Sequence, residues 1–510
     1  MTRINTNVQS LLSQRILGQQ NKSLNTSLER LSTGLRINRG ADDPAGLIAS
    51  ENLRSEKASI TAAISNAERA DQVVNIAEGG LQEINSLLLE VQSLVTQSSN
   101  EAGLSTEEKK ANQLQIDSIL ETVDRIASST SFQGTKLLNG TYDFTISGQN
   151  ANIESVQVNA AKTAYGENRD VNVLVTQSAQ HAGLFLSLDQ ANIDLNDTNG
   201  SFVFEVAGAE GSRQFTFASD TAITDIAKAI NTFSDVTGVS AATSGTGIAL
   251  KSTEYGSDEF VSVKVIEDSD VNVGKATVGV YNLEAKNEDD AEAAVAQTFA
   301  ALKGSNPIRD SGLDVGAIVN GITATSKGRV VKVTTDHLDT QFQLSETGAQ
   351  TLGSIGGVNP AFTIDGGGAK FNLGPNVDII NQATLGISNV TVRNLGSLST
   401  GFLDELGSSK GANLENGNLA KAQDIVDSAI NQVSSLRGRL GAFQKNTIGS
   451  TIRSLGVALE NTSAAESSIR DTDFASETAA LTRSQILVQS AQQVLSISKA
   501  QPQAVLSLLQ

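Results

Sequence analysis

The stretch LRSEKASITAAISNAERADQVVNIAEGGLQEINSLLLEVQSLV, residues 53–95, decides how this chain folds. Its apolar positions run Leu53, Ile60, Ala63, Ala67, Ala70, Val74, Ala77, Leu81, Ile84, Leu88, Val91 and Val95, in alternating steps of three and four with one polar break at Glu56. That spacing is the seam of a coiled coil, a narrow apolar stripe along a long helix. More than three hundred residues later a second seam appears at Val426, Ala429, Val433, Leu436, Leu440 and Phe443. After a one-residue shift it resumes at Ile448, Ile452, Leu455 and Leu459. A single seam cannot bury itself, so two such distant seams read as halves of one helical rod.

Outward from the first seam, residues 1–40 read as an amphipathic helix with Leu17, Leu24, Leu28, Leu31 and Leu35 on one stripe. Gly40 and Pro44 interrupt it, and Asp42 or Asp43 can cap the helix that follows. That helix runs to about Gln97, roughly 65 Å at ~1.5 Å per residue. Gly79 and Gly80 lie inside it, each costing about 1 kcal/mol relative to Ala, which lateral packing must offset. Ser105 and Glu108 have the spacing of a capping box and open a third helix, with Ile116, Ile119, Val123 and Ile126 as its seam. The C-terminal arm, Phe474 to Gln510, carries Leu481, Val488 and Leu495 at heptad spacing. Leu487, Ala491 and Val494 fill adjacent rows, and Val505, Leu508 and Leu509 end the chain. Arms this apolar, one at each end, call for partners.

The middle has a different grammar. Tyr142, Phe144 and Ile146 alternate with polar residues, as do Val156 and Val158, and Val171, Val173 and Val175. Between Ser201 and Ile266 a compact unit is expected: strands Phe202–Val206 and Gln214–Ala218, a helix capped by Asp220 with Ile223, Ile226 and Ile230 on one face, then strands Ile248–Lys251 and Val261–Ile266. Alternation recurs at Val330–Thr335 and Gln341–Leu344. The glycine-rich stretches Gly353–Gly357 and Gly366–Gly368 read as loops. The fold class expected is α+β: a discontinuous all-α core of long coiled-coil-like helices built from both termini, with a β-rich inserted outer region.

Composition narrows the function. With 510 residues, 39% of them hydrophobic, the chain can fold several domains. Aromatics are 4% and Trp is absent, so packing falls to Ala, Leu, Val and Ile. The absence of Cys excludes disulfides, thiolate metal sites and cysteine nucleophiles. His181 and His337 are the two histidines and form no H-E-x-x-H pair, so no metal site is expected. Arg3 precedes a polar amphipathic stretch rather than the apolar core of a secretory signal. No window approaches the ~18 apolar residues of a membrane span.

The net charge of −19 is uneven. Residues 1–40 hold six Lys or Arg against Glu29, a balance of +5, whereas residues 141–410 hold 32 acidic and 16 basic side chains, a balance of −16. The acidic middle reads as solvated surface. The basic N-terminal arm lacks the aromatic interleaving of a nucleic-acid site. Asp258-Glu259, Glu267-Asp268 and Glu288-Asp289-Asp290 lack the spacing of a calcium loop. No glycine loop ends in G-K-[ST], and no Ser-His-Asp arrangement surrounds either histidine. Neither an enzyme nor a cofactor is expected.

Several motifs carry a resemblance. Glu29-Arg30-Leu31-Ser32-Thr33-Gly34-Leu35-Arg36-Ile37-Asn38, followed by Ala41-Asp42-Asp43-Pro44-Ala45-Gly46-Leu47, resembles the N-terminal signature of bacterial flagellin. Phe132-Gln133-Gly134-Thr135-Lys136-Leu137-Leu138-Asn139-Gly140 does so too. Ser435-Leu436-Arg437-Gly438-Arg439-Leu440-Gly441-Ala442-Phe443-Gln444 is similar to the family's C-terminal core motif. Asp471-Thr472-Asp473-Phe474-Ala475, Gln485-Ile486-Leu487 and Pro502-Gln503-Ala504-Val505-Leu506-Ser507-Leu508-Leu509 complete the likeness, which covers about residues 1–140 and 415–510. The Ser201–Ile266 unit resembles an insertion motif of some flagellin and hook-associated outer domains.

The resemblance implies a subunit that self-assembles into the flagellar filament, the extracellular helical propeller of swimming bacteria. It implies terminal coiled-coil arms at 1–42 and 466–510, which form the filament inner core. It implies a helical rod domain with a β-hairpin part at 43–178 and 411–465, and a variable β-rich outer region at 179–410. That region is expected to hold two subdomains, one including the insertion motif at about 201–266. Self-assembly would fall to Leu24, Leu28, Leu31, Leu35, Leu481, Leu487, Val488, Val494, Leu495, Val505, Leu508 and Leu509. Rod packing would fall to Leu81, Ile84, Leu88, Val91, Val433, Leu436, Leu440 and Phe443.

Export is expected unfolded through the flagellar type III apparatus, without a cleaved signal peptide. The implied partners are further copies of the chain, a secretion chaperone at the C-terminal arm, the filament cap, hook-associated junction proteins and other flagellin paralogues. Nucleic acid and membrane insertion are not expected. Some flagellins are detected by a Toll-like receptor. Leu94 matches the stimulatory pattern, but Glu90 stands where that pattern has arginine and Gln115 where it has glutamate, so weak signalling is expected. A hook–filament junction protein is the alternative reading of the helical ends.

Overall fold

Helices form at both ends of the chain because their capping signals are met. The computed structural model describes residues 6–507 apart from 101–102, 164–166, 196–199, 273–277, 285–286, 292–296 and 416, without side-chain placement at 284, 287–291 and 501–507. Helix α1 spans Val8–Thr33, and the Asn7 side chain accepts from the Ser10 N–H at 2.9 Å. It stops at Gly34, whose φ of 73° is a left-handed cap that favours glycine. Leu35 therefore lies beyond the helix rather than on its stripe. Helix α2 spans Pro44–Ser98, 55 residues. Proline at its first position forfeits only an N–H that would be orphaned anyway, and Asp43 Oδ1 accepts from the Gly46 N–H at 2.9 Å. Starting at Pro44 makes α2 about 82 Å long, beyond the expected span.

Helix α3 spans Thr106–Ser129, opened by the Ser105/Glu108 capping box. Helix α4 (Ile223–Asn231) lies in the β-rich region, and α5 (Leu419–Ala442), α6 (Gly449–Arg470) and α7 (Phe474–Ser507) follow it. Between α5 and α6 the chain makes a π-helical turn, Phe443–Ile448. Such a turn inserts one residue, which is the shift seen in the second seam.

Two compact units result. One comprises Met1–Asn75, Phe371–Ala383 and Arg439–Gln510; the other comprises Ile76–Lys370 and Thr384–Gly438. In the first, Ile60, Ala63, Ala67, Ala70 and Val74 are buried. The break in the seam is filled by Lys57 rather than Glu56, its ammonium 3.3 Å from Glu466. Gln444, in the π turn, donates to Asp71 at 2.8 Å and Asn75 at 2.9 Å, and the Phe371 ring lies tilted with its centroid 6.1 Å from that of Phe443.

In the second unit, Ala77, Leu81, Ile84, Leu88, Val91 and Val95 are buried. The Arg437 guanidinium forks onto Glu78 at 3.3 and 3.2 Å, and Gln92 donates to Asp427 at 2.6 Å, so α2 and α5 run antiparallel there. Gly80 is where the Thr130 to Leu138 hairpin comes closest: a Cβ there would stand 2.8 Å from both Leu138 Cδ1 and Thr130 Oγ1. Helix α3 receives the returning chain through side-chain bonds to its backbone. Gln113 donates to the Leu406 carbonyl at 2.9 Å and accepts from the Leu414 N–H at 2.8 Å, and Asp124 accepts from the Val392 N–H at 2.8 Å. Buried peptide groups that regular structure leaves unpaired are satisfied this way.

The β-rich region has two hydrophobic clusters, and its described strand pairs are antiparallel. Strands Phe202–Ala207, Ser212–Phe217 and Phe260–Glu267 share a sheet with Ile308–Ser311. Strand Val239–Ser244 pairs with Gly247–Ser252, which pairs in turn with Gly183–Ser187, so the Ser201–Ile266 unit draws in Leu184, Leu186 and Phe299 for its core. Asp220 is not the cap of α4. That position is Ala222, while Asp220 turns through a φ of 70° and accepts from Asn192 at 2.8 Å. The glycine-rich stretches are not simple loops either. Gly353–Ile355 pairs with Val173–Gln177, and Phe362–Gly367 pairs with Phe144–Ser147 and Arg169–Val171. Ile355, Phe362 and Ile364 anchor those strands in the core, outweighing the glycines.

Candidate assembly surface

The terminal arms meet as an antiparallel pair, α1 against α7. Asn7 donates to the Ser498 carbonyl at 2.8 Å, the Ser23 and Ser484 hydroxyls lie 3.4 Å apart, and Arg30 faces Glu477 at 3.6 Å. The shared seam is built mainly from small residues. Ser10, Ser13 and Ser27 are buried on α1, and Ser484, Val488, Ala491 and Ser498 on α7. Leu17, Leu24, Leu31, Leu481 and Leu495 are half-buried beside them.

Many of the branched side chains point elsewhere. Leu11 is 59% exposed, Ile486 58%, Val494 55% and Ile497 63%, with Leu12, Ile16, Leu28 and Leu487 also exposed. Taking such a side chain from full exposure to full burial is worth about 1.5–3 kcal/mol, so pairing of the two arms leaves part of that gain unrealised at each of these half-exposed positions. Of the residues singled out for assembly, the structure puts Leu24, Leu31, Leu481, Val488 and Leu495 at the seam between the arms. It puts Leu28, Leu487 and Val494 on the outside. Leu35 is half-buried past α1, Val505 lies in α7 without a described side chain, and Leu508 and Leu509 fall outside the described residues. The buried serines escaped the sequence reading because they are polar, although their heptad spacing was available.

Below the arms both chain ends leave the helix together. The Arg36 N–H donates to the Arg470 carbonyl at 2.7 Å and the Thr472 N–H to the Gly34 carbonyl at 2.9 Å, a short antiparallel bridge. The Arg36 guanidinium donates to the Ile469 carbonyl at 2.6 Å. Asp42 accepts from the Asn38 and Arg39 N–H groups at 3.1 and 2.9 Å, and those two bonds hold its carboxyl below the ordinary value. Asp473 restarts the C-terminal helix by accepting from the Ala475 N–H at 2.9 Å. The basic excess of the N-terminal arm is partly absorbed here, since Arg39 forks onto Glu29 at 3.0 and 2.9 Å.

Among the packing residues, Leu81, Ile84, Leu88, Val91, Val433, Leu436 and Leu440 are buried and Phe443 is half-buried. Glu90 and Gln115 are exposed, but Leu94 is 7% exposed and offers a partner little surface. The acidic clusters meet lysines: Lys303 pairs with Glu267 and lies 3.3 Å from Asp268, and Lys327 lies 2.9 Å from Asp258. The side chains of Glu288, Asp289 and Asp290 are outside those described. Among the described residues no group of three or more His, Asp or Glu is placed to hold a metal ion.

A family model described as the bacterial flagellin N-terminal helical region matches residues 4–143, and one described as the bacterial flagellin C-terminal helical region matches residues 423–509. Flagellin B of Helicobacter pylori is 28% identical over 543 residues, covering 100% of this chain and 99% of its own length. A flagellin of Salmonella choleraesuis is 29% identical over 538 residues, covering 99% of each. The solved structure of FliC from Burkholderia pseudomallei is similar over 74% of this chain and 99% of its own at 12% identity, with a TM-score of 0.22, too loose a likeness to carry weight.

Proposed function

Because this chain belongs to the bacterial flagellins, we propose a division of labour along it, in which the arms join subunits and the inserted region faces outward. It is a structural subunit of the flagellar filament, the extracellular helical appendage used for swimming. The observation that carries the reading is the arm pair, whose seam is built mainly from small residues while rows of Leu, Ile and Val stay exposed on its outside. Neighbouring subunits can cover those outer rows, and a heterologous contact that does not close on itself propagates as a helical fibre. On this reading residues 1–42 with 466–510 form the inner core, 43–178 with 411–465 the surrounding helical layer, and 179–410 the outer region.

The same exposed rows suit two further roles. A secretion chaperone would cover Ile486, Leu487, Val494 and Ile497 before export, holding the arm from premature polymerisation. Export would proceed unfolded through the type III apparatus. Cap and junction proteins would meet the polymer at its ends, and paralogous flagellins could enter the same lattice. The chain performs no catalysis in this scheme. At the receptor pattern, the carboxylate of Glu90 and the neutral Gln115 give weak innate signalling.

The test is the double variant Leu487→Asp with Val494→Asp. Both positions are exposed in the single chain, so circular dichroism should retain the helical and β signals. Ammonium sulfate should then yield no filaments by negative-stain microscopy. Filaments of normal length would contradict the role of these rows.

A further inference from the structure

One face of the outer region departs from its acidic surroundings. Residues 141–410 hold twice as many acidic as basic side chains, 32 against 16, yet Lys327, Arg329 and Lys332 crowd into a single hairpin. In the sheet formed with Leu338–Leu344, Lys332 pairs with Gln341 and Val330 with Gln343. Val331, Val333, Phe342 and Leu344 point into the core, which turns Lys332, Gln341 and Gln343 to the opposite face. There they floor a groove of about 560 Å³, within the ~300–1,000 Å³ range of small-ligand sites.

The wall of the groove is held in place. Tyr255 is backed by His181, with ring centroids 3.6 Å apart, and its hydroxyl lies 3.4 Å from Glu346 and 3.3 Å from Gln350. Arg329 is fixed by Glu154 and the Leu344 carbonyl, at 3.3 and 3.2 Å, with its guanidinium 5.5 Å from the Tyr255 ring. The floor is different. Among the described residues the Lys332 ammonium and the Gln341 and Gln343 amides have no hydrogen-bond or ionic partner.

We propose that this groove binds an acidic saccharide, a sugar chain bearing one carboxylate. Primary amides donate and accept at once, as sugar hydroxyls do, and the unpartnered ammonium meets a carboxylate. The Tyr255 ring supplies an apolar edge for a sugar C–H face. Glu254 and Glu259 also line the groove and repel a ligand with many negative charges, which selects against a polyanion. Burial, together with the neighbouring Glu210, Glu254 and Asp258 carboxylates, pushes the Glu259 carboxyl above its ordinary value. In a filament the groove would recur along the surface and gain avidity, a consequence that rests on the polymer reading. The site itself belongs to the single chain.

The experiment uses full-length protein, kept monomeric without precipitant, and saturation-transfer NMR with titration of 3′-sialyllactose, lactose and a heparin tetrasaccharide. Sialyllactose should bind at least about tenfold more tightly than lactose, as one charge-assisted contact allows. Lys332→Ala should erase that difference, and Gln341→Ala with Gln343→Ala should weaken both sugars. Lys228→Ala, on α4, should change nothing. No transfer to either sugar, unchanged binding in Lys332→Ala, or binding of the heparin fragment alone would overturn the proposal. Because no polymer is involved, each of those results leaves the filament reading untouched.

Discussion

Ser10, Ser13 and Ser27 are buried on α1 and Ser484 and Ser498 on α7, and these serines decide what the arms keep for themselves. A leucine at such a position would bind the arms to each other; a serine lets them approach while contributing little apolar burial. Single glycines are equally decisive. Gly79 has open space around its Cα, whereas a Cβ at Gly80 would meet Thr130 and the fully buried Leu138. Gly79→Ala should therefore raise the melting temperature, adding about 0.5–1 kcal/mol of helix propensity. Gly80→Ala should lower it despite the same propensity gain, and scanning calorimetry of the pair checks this. Asp42 gives a pH dependence. Its folded carboxyl titrates below the ordinary value of 3.8, so its contribution is full above that value and disappears as the pH falls through the depressed one. Amide exchange at Asn38 and Arg39 should keep its protection down to that range in the native chain, and Asp42→Ala should lack the protection at every pH. The Asp43 cap and the Ser105/Glu108 box were legible in the sequence, because their spacing places the side chains on the first free N–H groups of a helix. The buried serines were not, since a search for apolar periodicity passes over them.

At the scale of the element, the long helices were legible because the 3-4 spacing from Ile60 to Val95 has no strand counterpart. The one-residue slip after Phe443 was visible as well, and the π turn Phe443–Ile448 accounts for it. Deleting Asn446, an exposed residue of that turn, should turn the side chains on one side of it by about 100° relative to the other. Either the Val433–Leu440 or the Ile452–Leu459 stripe would then leave its partner. Circular dichroism should show a melting temperature lowered by several degrees, against little change for Asn446→Ala. The β-rich elements were less legible. Gly353–Ile355 and Phe362–Gly367 are strands because distant residues pair with them and bury Ile355 and Ile364. Local propensity carries no trace of such partners. For the same reason Asp220, two residues before the true cap, looked like the start of α4.

For the whole molecule, the α+β class and the division into helical ends and a β-rich insertion followed from the change of period at Tyr142 and its return at Leu419. The two hydrophobic clusters of the insertion did not, because strand order depends on pairings such as Gly183–Ser187 with Gly247–Ser252 that no local pattern encodes. Two apolar arms could in principle satisfy each other within one chain. Their pairing is real, but the exposed rows from Leu11 to Leu28 and from Ile486 to Ile497 remain uncovered. The central claim is that these rows are covered by other copies of the chain. The most direct measurement is negative-stain microscopy of the full-length protein beside a form lacking residues 1–40 and 470–510, both treated with ammonium sulfate. Long tubes of uniform diameter should form from the full-length chain and not from the trimmed one. Tubes from the trimmed chain, or none from either, would contradict it.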